Sequence, residues 1–305
     1  LSLGAVGTVT AATATSLTVD ITTPPTAAGQ LTATVTSNTL SSGTPVQVAS
    51  VVPVITASVD GVAANATTIT IAGFGFDTTA ANNRVTFNNG AVGAVTAATT
   101  TELTVTLAAK PRAGSLEATV VVNGISSSPA QVATALPALT TSTANLSAGG
   151  VRITVAGAGF DPVAANNSIT FDNGAVGTVV AATPTLLTVN LTSRPTAKGA
   201  LRASVTSNGI SSGPLVQIAS VTPSVTRTTT NVSLTASSML INGFAFDPVA
   251  VNNQVVLSNG AVGTVTEATP TQLTVALSTP PSAGVLTAVV TSDGVSSGEP
   301  IQVGS

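Results

Sequence analysis

The sequence repeats itself, and the length of the repeat limits the folds that this chain can adopt. The tetrapeptide Gly-Ala-Val-Gly begins at residues 4, 90, 174 and 260, at steps of 86, 84 and 86 residues. Pro53, Pro137 and Pro223 mark the same period. A unit of about 85 residues is longer than the roughly 20 to 47 residues of common solenoid repeats and suits a small domain with its own core. The sequence therefore predicts a tandem array of small domains.

Three repeats are complete, at 51–134, 135–220 and 221–305, and the first, at 1–50, matches only the rear half of the others. Roughly 38 residues that supply the front strands elsewhere have no counterpart in the first repeat. We interpret this terminus as a cut or processed end, or as a window onto a longer array. The alternative is that another chain lends the missing strands, as in donor-strand complementation.

Short segments alternate apolar and polar residues, which is typical of half-buried strands. The clearest are Leu-Thr-Val-Thr-Leu at 103–107, Leu-Thr-Val-Asn-Leu at 187–191 and Leu-Thr-Val-Asp-Ile at 17–21. Between such segments lie dipeptides that favour two-residue type I′ hairpins, at 123–124, 208–209 and 293–294. The first repeat has Asn38-Thr39 at this place, which predicts a looser turn.

Seven short strands per repeat indicate an immunoglobulin-like sandwich. In the second repeat the patterns predict strands near 51–57, 67–72, 84–87, 91–97, 102–108, 116–122 and 125–132. The expected fold class is all-β: tandem immunoglobulin-like β-sandwich domains in an extended rod. The chain has no Cys and no Trp, so each core must pack Val, Ile, Leu and Ala, with one or two Phe as the bulkiest residues.

The order of motifs resembles the IPT/TIG domain, an immunoglobulin-like module of plexins, some transcription factors and many bacterial surface proteins. In the second repeat the motifs are Ile-Ala-Gly-Phe-Gly-Phe-Asp at 71–77, Asn-Asn-Arg-Val-Thr-Phe at 82–87, Leu-Thr-Val at 103–105 and Val-Asn-Gly-Ile-Ser-Ser at 122–127. The resemblance covers the three complete repeats and part of the first. It implies the immunoglobulin-like fold. The DNA-binding members of the family use basic loops, which this chain lacks, and tandem copies rich in Thr, Ala and Val resemble the bacterial extracellular members.

The composition removes most catalytic and ligand-binding chemistry. Without His or Cys there is no Ser-His triad, thiol nucleophile, zinc finger or disulfide framework. Eight Lys and Arg on a chain of net charge −3 cannot form the basic face that nucleic acid needs, and no apolar run approaches the roughly 18 residues of a membrane span. The acidic residues do not recur as close pairs. We expect no enzyme, no catalytic, cofactor-binding or metal-binding residues, no cofactor and no small-molecule substrate.

Two recurring motifs have both a functional and a structural interpretation. Gly73-Phe74-Gly75 is similar to a phosphate-binding glycine loop, but a strand follows it rather than a helix, so we expect a turn with close backbone approach. Asp77, Asp161 and Asp247 recur with a pair of Asn residues five and six positions later, and such oxygens are Ca²⁺ ligands. Because only one carboxylate recurs per repeat, the pattern favours an Asx turn.

The remaining candidates have simple structural interpretations. Lys110 and Lys198 lie at non-equivalent positions of their repeats, so we interpret them as surface charge rather than as Lys-Asn isopeptide bonds. The Phe residues recur in strand-like positions, which favours the core over a sugar-binding face. Leu240 replaces an outward Thr and marks either a contact patch or drift. Five Asn-X-Ser/Thr sequons matter only in a source that glycosylates, at Asn65, Asn145, Asn166, Asn190 and Asn231.

The joins between repeats are short and apolar, and none is a Gly/Ser linker. They predict a stiff string in which neighbouring domains touch. Charged residues make up 6% of the chain against about 25% in ordinary domains, which suits a chain that is assembled rather than dispersed. The hypothesis is a secreted structural protein that self-associates and forms, or contributes to, a cell-surface fibre, filament or sheath. The alternative is an adhesin stalk or spacer for a binding or catalytic module outside this segment.

Overall fold

The computed structural model describes all 305 residues, and nearly all of its regular structure is β-strand. Three single 3₁₀ turns are its helical elements, at Ala80–Asn82, Ala164–Asn166 and Ala250–Asn252. The chain forms two compact units, Leu1–Pro137 and Ala138–Ser305, each holding two of the predicted repeats. The all-β fold class with tandem immunoglobulin-like sandwiches is confirmed, and the repeat limits given above remain a prediction.

The first repeat has six strands but no closed sandwich. They are β1 (Val6–Ala12), β2 (Leu17–Thr23), β3 (Gly29–Ala33), β4 (Thr36–Ser37), β5 (Leu40–Ser41) and β6 (Val46–Val51). They form three antiparallel pairs, β1-β2, β3-β6 and β4-β5. Leu17, Val19 and Ile21 of β2 are 42%, 37% and 46% exposed, although the matching residues of the other repeats form cores.

The second repeat is a complete two-sheet sandwich. Its strands are β7 (Val54–Ile55), β8 (Gly61–Ala63), β9 (Thr68–Phe74), β10 (Asn83–Phe87), β11 (Val92–Ala98), β12 (Glu102–Ala109), β13 (Gly114–Val122), β14 (Ile125–Ser126) and β15 (Ala130–Leu136). One sheet has the order β11-β12-β9-β7 and the other β10-β13-β15-β8, with β14 on β13. Between them lies an apolar core in which Phe76, Leu103 and Leu116 are fully buried.

The third repeat repeats this plan. Its strands are β16 (Ala138–Leu139), β17 (Asn145–Ser147), β18 (Arg152–Ala158), β19 (Asn167–Phe171), β20 (Val176–Thr183), β21 (Leu186–Ser193), β22 (Gly199–Ser207), β23 (Ile210–Ser211) and β24 (Val216–Thr222). The sheets run β16-β18-β21-β20 and β17-β24-β22-β19, with β23 on β22. Phe160, Leu187 and Leu201 are fully buried between them.

The fourth repeat has the same two layers with fewer strands. They are β25 (Ser224–Val225), β26 (Ser238–Phe244), β27 (Asn253–Leu257), β28 (Val262–Thr269), β29 (Gln272–Thr279), β30 (Leu286–Ser292), β31 (Val295–Ser296) and β32 (Ile301–Gly304). One sheet has the order β25-β26-β29-β28, and in the other β30 pairs with β27, β31 and β32. Phe246 is 2% exposed, so one Phe of each complete repeat is the largest fully or nearly fully buried side chain, as expected.

Two details of the predicted second repeat are wrong. The strand predicted at 125–132 is two strands, β14 and β15, because Pro129 lies between them and cannot donate to a ladder. The prediction also lacks β8, a three-residue strand that pairs parallel with β15. Its sequence, Gly-Val-Ala, is too short to show any alternation.

The type I′ hairpins are confirmed, since both central residues of each turn have positive φ. The values are 49° and 85° at Asn123-Gly124, 51° and 78° at Asn208-Gly209, and 47° and 79° at Asp293-Gly294. The looser turn expected at Asn38-Thr39 is wrong. Asn38 and Thr39 have φ of 47° and 70°, and β4 and β5 pair directly on either side. The flanking pairing imposes the same turn on a Thr.

Candidate functional site

A Gly-x-x-Phe-Asp turn ends an inner strand of each complete sandwich, and its second residue is Phe in the second and fourth repeats and Ala158 in the third. Gly73 lies against the neighbouring strand, and a Cβ atom there would overlap the Val54 carbonyl oxygen and Cζ of Phe76. Gly157 and Gly243 are equally close to backbone oxygens and to Phe160 and Phe246. The glycine is therefore required by a close approach of backbone and ring. This confirms the turn interpretation of 73–75.

The recurring Asp closes this turn on itself. Asp77 Oδ1 accepts a hydrogen bond from the Thr79 backbone N–H at 2.8 Å. Asp161 and Asp247 accept the equivalent bonds, also at 2.8 Å, from the backbone N–H groups of Val163 and Val249. The following Asn is buried beneath: Asn83 Nδ2 donates to the Asp77 carbonyl oxygen at 2.7 Å. The predicted Asx turn is confirmed in all three complete repeats.

Two side-chain amides donate hydrogen bonds to the second carboxylate oxygen of Asp77. Asn82 Nδ2 and Asn123 Nδ2 each donate to Asp77 Oδ2 at 3.1 Å. The backbone N–H of Thr79 and these two amides lower the pKa of Asp77 from its ordinary value. The Asp77 carboxylate thus accepts hydrogen bonds from donors of its own repeat, and its role in this turn is structural.

In the fourth repeat the same carboxylate binds a residue of the third. Lys198 Nζ lies 3.1 Å from Asp247 Oδ2 and 3.6 Å from Asp293 Oδ2. Asp293 stands where the second repeat has Asn123. The backbone N–H of Val249 and the Lys198 ammonium lower the pKa of Asp247. Interpreting Lys198 as surface charge is wrong, because its side chain is only 15% exposed and bridges two repeats.

Arg194 makes a second contact between the third and fourth repeats. Its guanidinium carbon lies 4.4 Å from the centroid of the Phe244 ring, and its Nε donates to the Gly149 carbonyl oxygen at 3.2 Å. Phe244 and the buried Ala245 pack against the core of the third repeat. Arg194 and Lys198, four residues apart on one loop, therefore hold the turn of the fourth repeat from two sides. We call this contact the charged joint.

The corresponding contact between the first and second repeats has no charged group. The Ala28 backbone N–H donates to the Gly75 carbonyl oxygen at 2.8 Å, and Ala28 is buried in the core of the second repeat. Phe74, which matches Phe244, is 63% exposed, so the core expected for every Phe is wrong here. We call this contact the neutral joint. Both joints place the loop after one repeat's Pro against the Gly-Phe turn of the next.

The sequence contains evidence for the charged joint at positions where the repeats differ from one another. Four residues lead from Pro195 to Gly199, as from Pro25 to Gly29, but only three lead from Pro111 to Gly114 and from Pro281 to Gly284. The additional position holds Ala28 in the first repeat and Lys198 in the third, so only the third repeat places a charge there. Lys198 occurs together with Asp293, the one departure from Asn at the first hairpin position. Two departures from the repeat that carry opposite charge identify a contact.

The other candidates lie apart from these joints. Lys110 Nζ donates to the Ala66 carbonyl oxygen within its own repeat. Leu240 is 51% exposed on the outer face of β26, which leaves both of its interpretations open. Among the sequons, Asn190 is half-buried and Asn65, Asn145, Asn166 and Asn231 are exposed. No helix is long and apolar enough to cross a membrane, and no three Asp or Glu residues gather as a metal site.

No curated protein matches the chain in sequence. Among solved structures, the chain is similar to FdeC, an adhesin of Escherichia coli (16% identity, 81% of this chain and 92% of that chain, TM-score 0.25). It is also similar to InvD of Yersinia pseudotuberculosis (15%, 82% and 96%, TM-score 0.25) and to titin domains I67–I69 (12%, 83% and 95%, TM-score 0.22).

The family assignment rests on sequence. The profile of the IPT/TIG domain matches residues 53–134 and 137–218, two tandem copies that together cover more than half of the chain. Each match begins at the Pro that marks the period and ends in the last long strand of its repeat, β15 or β24. With the sandwich sheets and the Gly-x-x-Phe-Asp turn in place in both segments, the chain belongs to the IPT/TIG domain family.

Proposed function

We propose that this chain is an extracellular structural repeat protein that self-associates and contributes to a cell-surface fibre, filament or sheath. The observation that carries the proposal is the construction of the joints. Only Val52 and Pro53 separate β6 from β7, and only Pro223 separates β24 from β25. Each of these two joins is supported by a loop docked on the next repeat, so these joints can bend only by breaking those contacts. A chain joined in this way suits a role in bearing load over distance.

Self-association is supported by the edge strands. β1, β11, β20 and β28 are unpaired on one side and contain no Lys, Arg or Pro, the residues with which proteins commonly block edge pairing. Each begins with a Val that is more than half exposed, namely Val6, Val92, Val176 and Val262. Since Glu267 is the one charge among the four strands, little repulsion opposes the approach of a second copy.

Electron microscopy of the purified chain, and of the material on the cells that make it, tests the proposal. We expect fibres or sheets, and immunolabelling at the cell surface. The variant Ala97→Lys with Ala181→Lys adds one exposed charge to each of two edge strands and should abolish assembly. The control, Ser128→Lys with Thr143→Lys, adds the same charge at exposed loop positions of the same two repeats and should assemble normally.

Two results would contradict the proposal. Dispersed single molecules at all concentrations would favour the alternative, a stalk or spacer that holds a separate module at a distance. Equal loss of assembly in the edge and control variants would show that net charge, rather than edge pairing, governs association.

A further inference from the structure

We infer that two different strand edges of this chain pair between copies, the outer edge of β28 in the fourth repeat and an open edge of β18 in the third. The partner of each edge is a second copy of the same chain. The inference rests on the proposed self-association and names one contact of that assembly. Two observations support it: the unpaired backbone of β18, and the opposite charges of Arg152 on β18 and Glu267 on β28.

The side of β18 that faces away from β21 is only partly paired. β16 pairs with the last two residues of β18, and the Thr140 backbone N–H donates to the Ala156 carbonyl oxygen at 2.9 Å. The chain then crosses to the other sheet, where β17 pairs with β24. Along an antiparallel strand every second residue directs its backbone groups to the same side. Thr154 and Arg152 therefore direct their N–H and carbonyl groups away from β21, on an edge where no strand pairs with them.

A groove of about 350 Å³ lies beside this edge of β18. Its lining includes Arg152 and Thr154 of β18 together with Ser142 and Asn145 of the crossing segment. The second repeat has an equivalent groove of about 290 Å³ beside β9. Both repeats have all of their strands, so the opening results from the crossing of the chain between the two sheets. The groove leaves room for a strand of another copy to approach the open backbone groups.

Each of the two kinds of edge has one charged residue in this molecule. Arg152 is the one charge on the inner strands β9, β18 and β26, and Glu267 is the one charge on the outer edge strands. Both side chains are exposed, and neither forms an ion pair within the chain. Arg152 Nε donates to Asn190 Oδ1 at 3.0 Å, and Thr274 Oγ1 donates to Glu267 Oε2 at 3.3 Å. Both charges are therefore available to a partner.

The charges favour a contact between unlike edges. A pair of β28 edges would bring two Glu267 carboxylates onto one short ladder, and a pair of β18 edges would bring two Arg152 side chains together. Like charges across a contact are repulsive, whereas β28 on β18 pairs a carboxylate with a guanidinium. Because each copy has one edge of each kind, the contact is heterologous and can add further copies without closing.

Charge reversal in the full 305-residue chain tests the inference. Glu267→Lys and Arg152→Glu each replace the attraction by a repulsion, and we expect each to raise the concentration of half-maximal assembly about tenfold or more. Light scattering and sedimentation velocity measure this concentration. A one-to-one mixture of the two variants should assemble again, because each variant then offers the other an opposite charge at both edges. A variant that fails to fold would not be rescued by mixing.

The matched control reverses two exposed loop charges of the fourth repeat, with Arg227→Glu and Glu299→Lys in separate chains. Both control variants should assemble as the wild type does, alone and mixed. Hydrogen exchange locates the contact: the backbone amides of Arg152 and Thr154 should exchange several-fold more slowly in assembled wild-type chains than in dispersed ones, because a partner strand then pairs with them.

Three results would overturn the inference and leave the proposed function standing. Wild-type assembly of both single variants shows that the two charges do not meet. A mixture that stays dispersed, although each variant is folded by circular dichroism, shows that each reversal acts within its own chain. Equal loss of assembly in the control variants assigns the effect to charge in general. Wild-type chains that are dispersed at all concentrations would instead overturn the proposed function, and this inference with it, so the two failures are distinguishable.

Discussion

The neutral joint and the charged joint use the same backbone elements and differ in the side chains that secure them. In both, the loop after a repeat's Pro meets the Gly-Phe turn of the next repeat. The neutral joint relies on one backbone hydrogen bond and on buried Ala28, and leaves Phe74 exposed to solvent. The charged joint covers the matching Phe244 with Arg194 and binds Asp247 through Lys198. The backbone contact is thus sufficient for docking, and the cations add an interaction that salt and pH can modulate.

The first glycine of the turn, which both joints share, should be the position least tolerant of substitution. In Gly73→Ala and Gly243→Ala the new methyl group would overlap a backbone oxygen and the buried Phe ring. We expect each to destabilise its repeat by about 3 kcal/mol, the upper part of the usual overpacking range. Thermal unfolding with repeat-resolved hydrogen exchange measures the loss. Ala72→Ser, an exposed neighbour, is the control and should have little effect. Wild-type stability in the Gly variants would mean that the close approach does not constrain the turn.

The next effect should separate the two joints. Phe244→Ala removes a half-buried ring together with its cation–π contact, and we expect it to cost about 2 kcal/mol. Phe74→Ala removes a ring that is 63% exposed and should cost less than about 0.5 kcal/mol. The measurement is the exchange rate of the amides in residues 244–249 and 74–79. Equal costs at the two positions would contradict the distinction between the joints.

The carboxylates of the charged joint should depend on Lys198. Lys198→Ala leaves Asp247 and Asp293 without their shared cation, and we expect exchange in residues 244–249 to become several-fold faster. Adding Asp293→Asn should reverse much of this, because the second repeat has Asn at that position and its amide donates to the carboxylate of the turn. If exchange in residues 244–249 is as fast in the double variant as in Lys198→Ala, an Asn at position 293 does not stabilise the Asp247 turn as Asn123 stabilises that of Asp77.

Salt and pH test the same difference without substitutions. Asp77 and Asp247 both have a lowered pKa, so their stabilising contribution is complete above about pH 3.8 and is lost as the pH falls below it. Both turns should therefore loosen in acid. In 1 M NaCl at neutral pH, where the screening length is about 3 Å, only the charged joint should exchange faster. A salt response at Asp77 as large as that at Asp247 would be inconsistent with its amide partners.

The repeat and the alternation were sufficient to predict the sandwiches, because each strand pattern is local and is repeated three times. The Asx turn at Asp77 and the hairpin at Asn123-Gly124 follow equally from short motifs. The joints could not be predicted in this way. Lys198 contacts a residue 49 positions away, in the next repeat. The lack of recurrence argues against an isopeptide bond in every repeat, but a contact between two different neighbours need occur only once.

The smallest expected effect comes from transferring the charged contact to the neutral joint. Pro24 is exposed and lies 20 residues after its Gly-Ala-Val-Gly, as Arg194 does, so Pro24→Arg places a guanidinium on the loop that faces the turn of Phe74. A cation–π contact at an exposed site contributes about 0.5–1 kcal/mol, which should slow exchange in residues 74–79 a few-fold. Pro24→Gln, of similar length but uncharged, is the control. If Pro24→Arg has no effect beyond that of Pro24→Gln, a guanidinium at this position does not hold the Phe ring by itself. Arg194 would then secure Phe244 only because Lys198 and Gly149 already fix the loop.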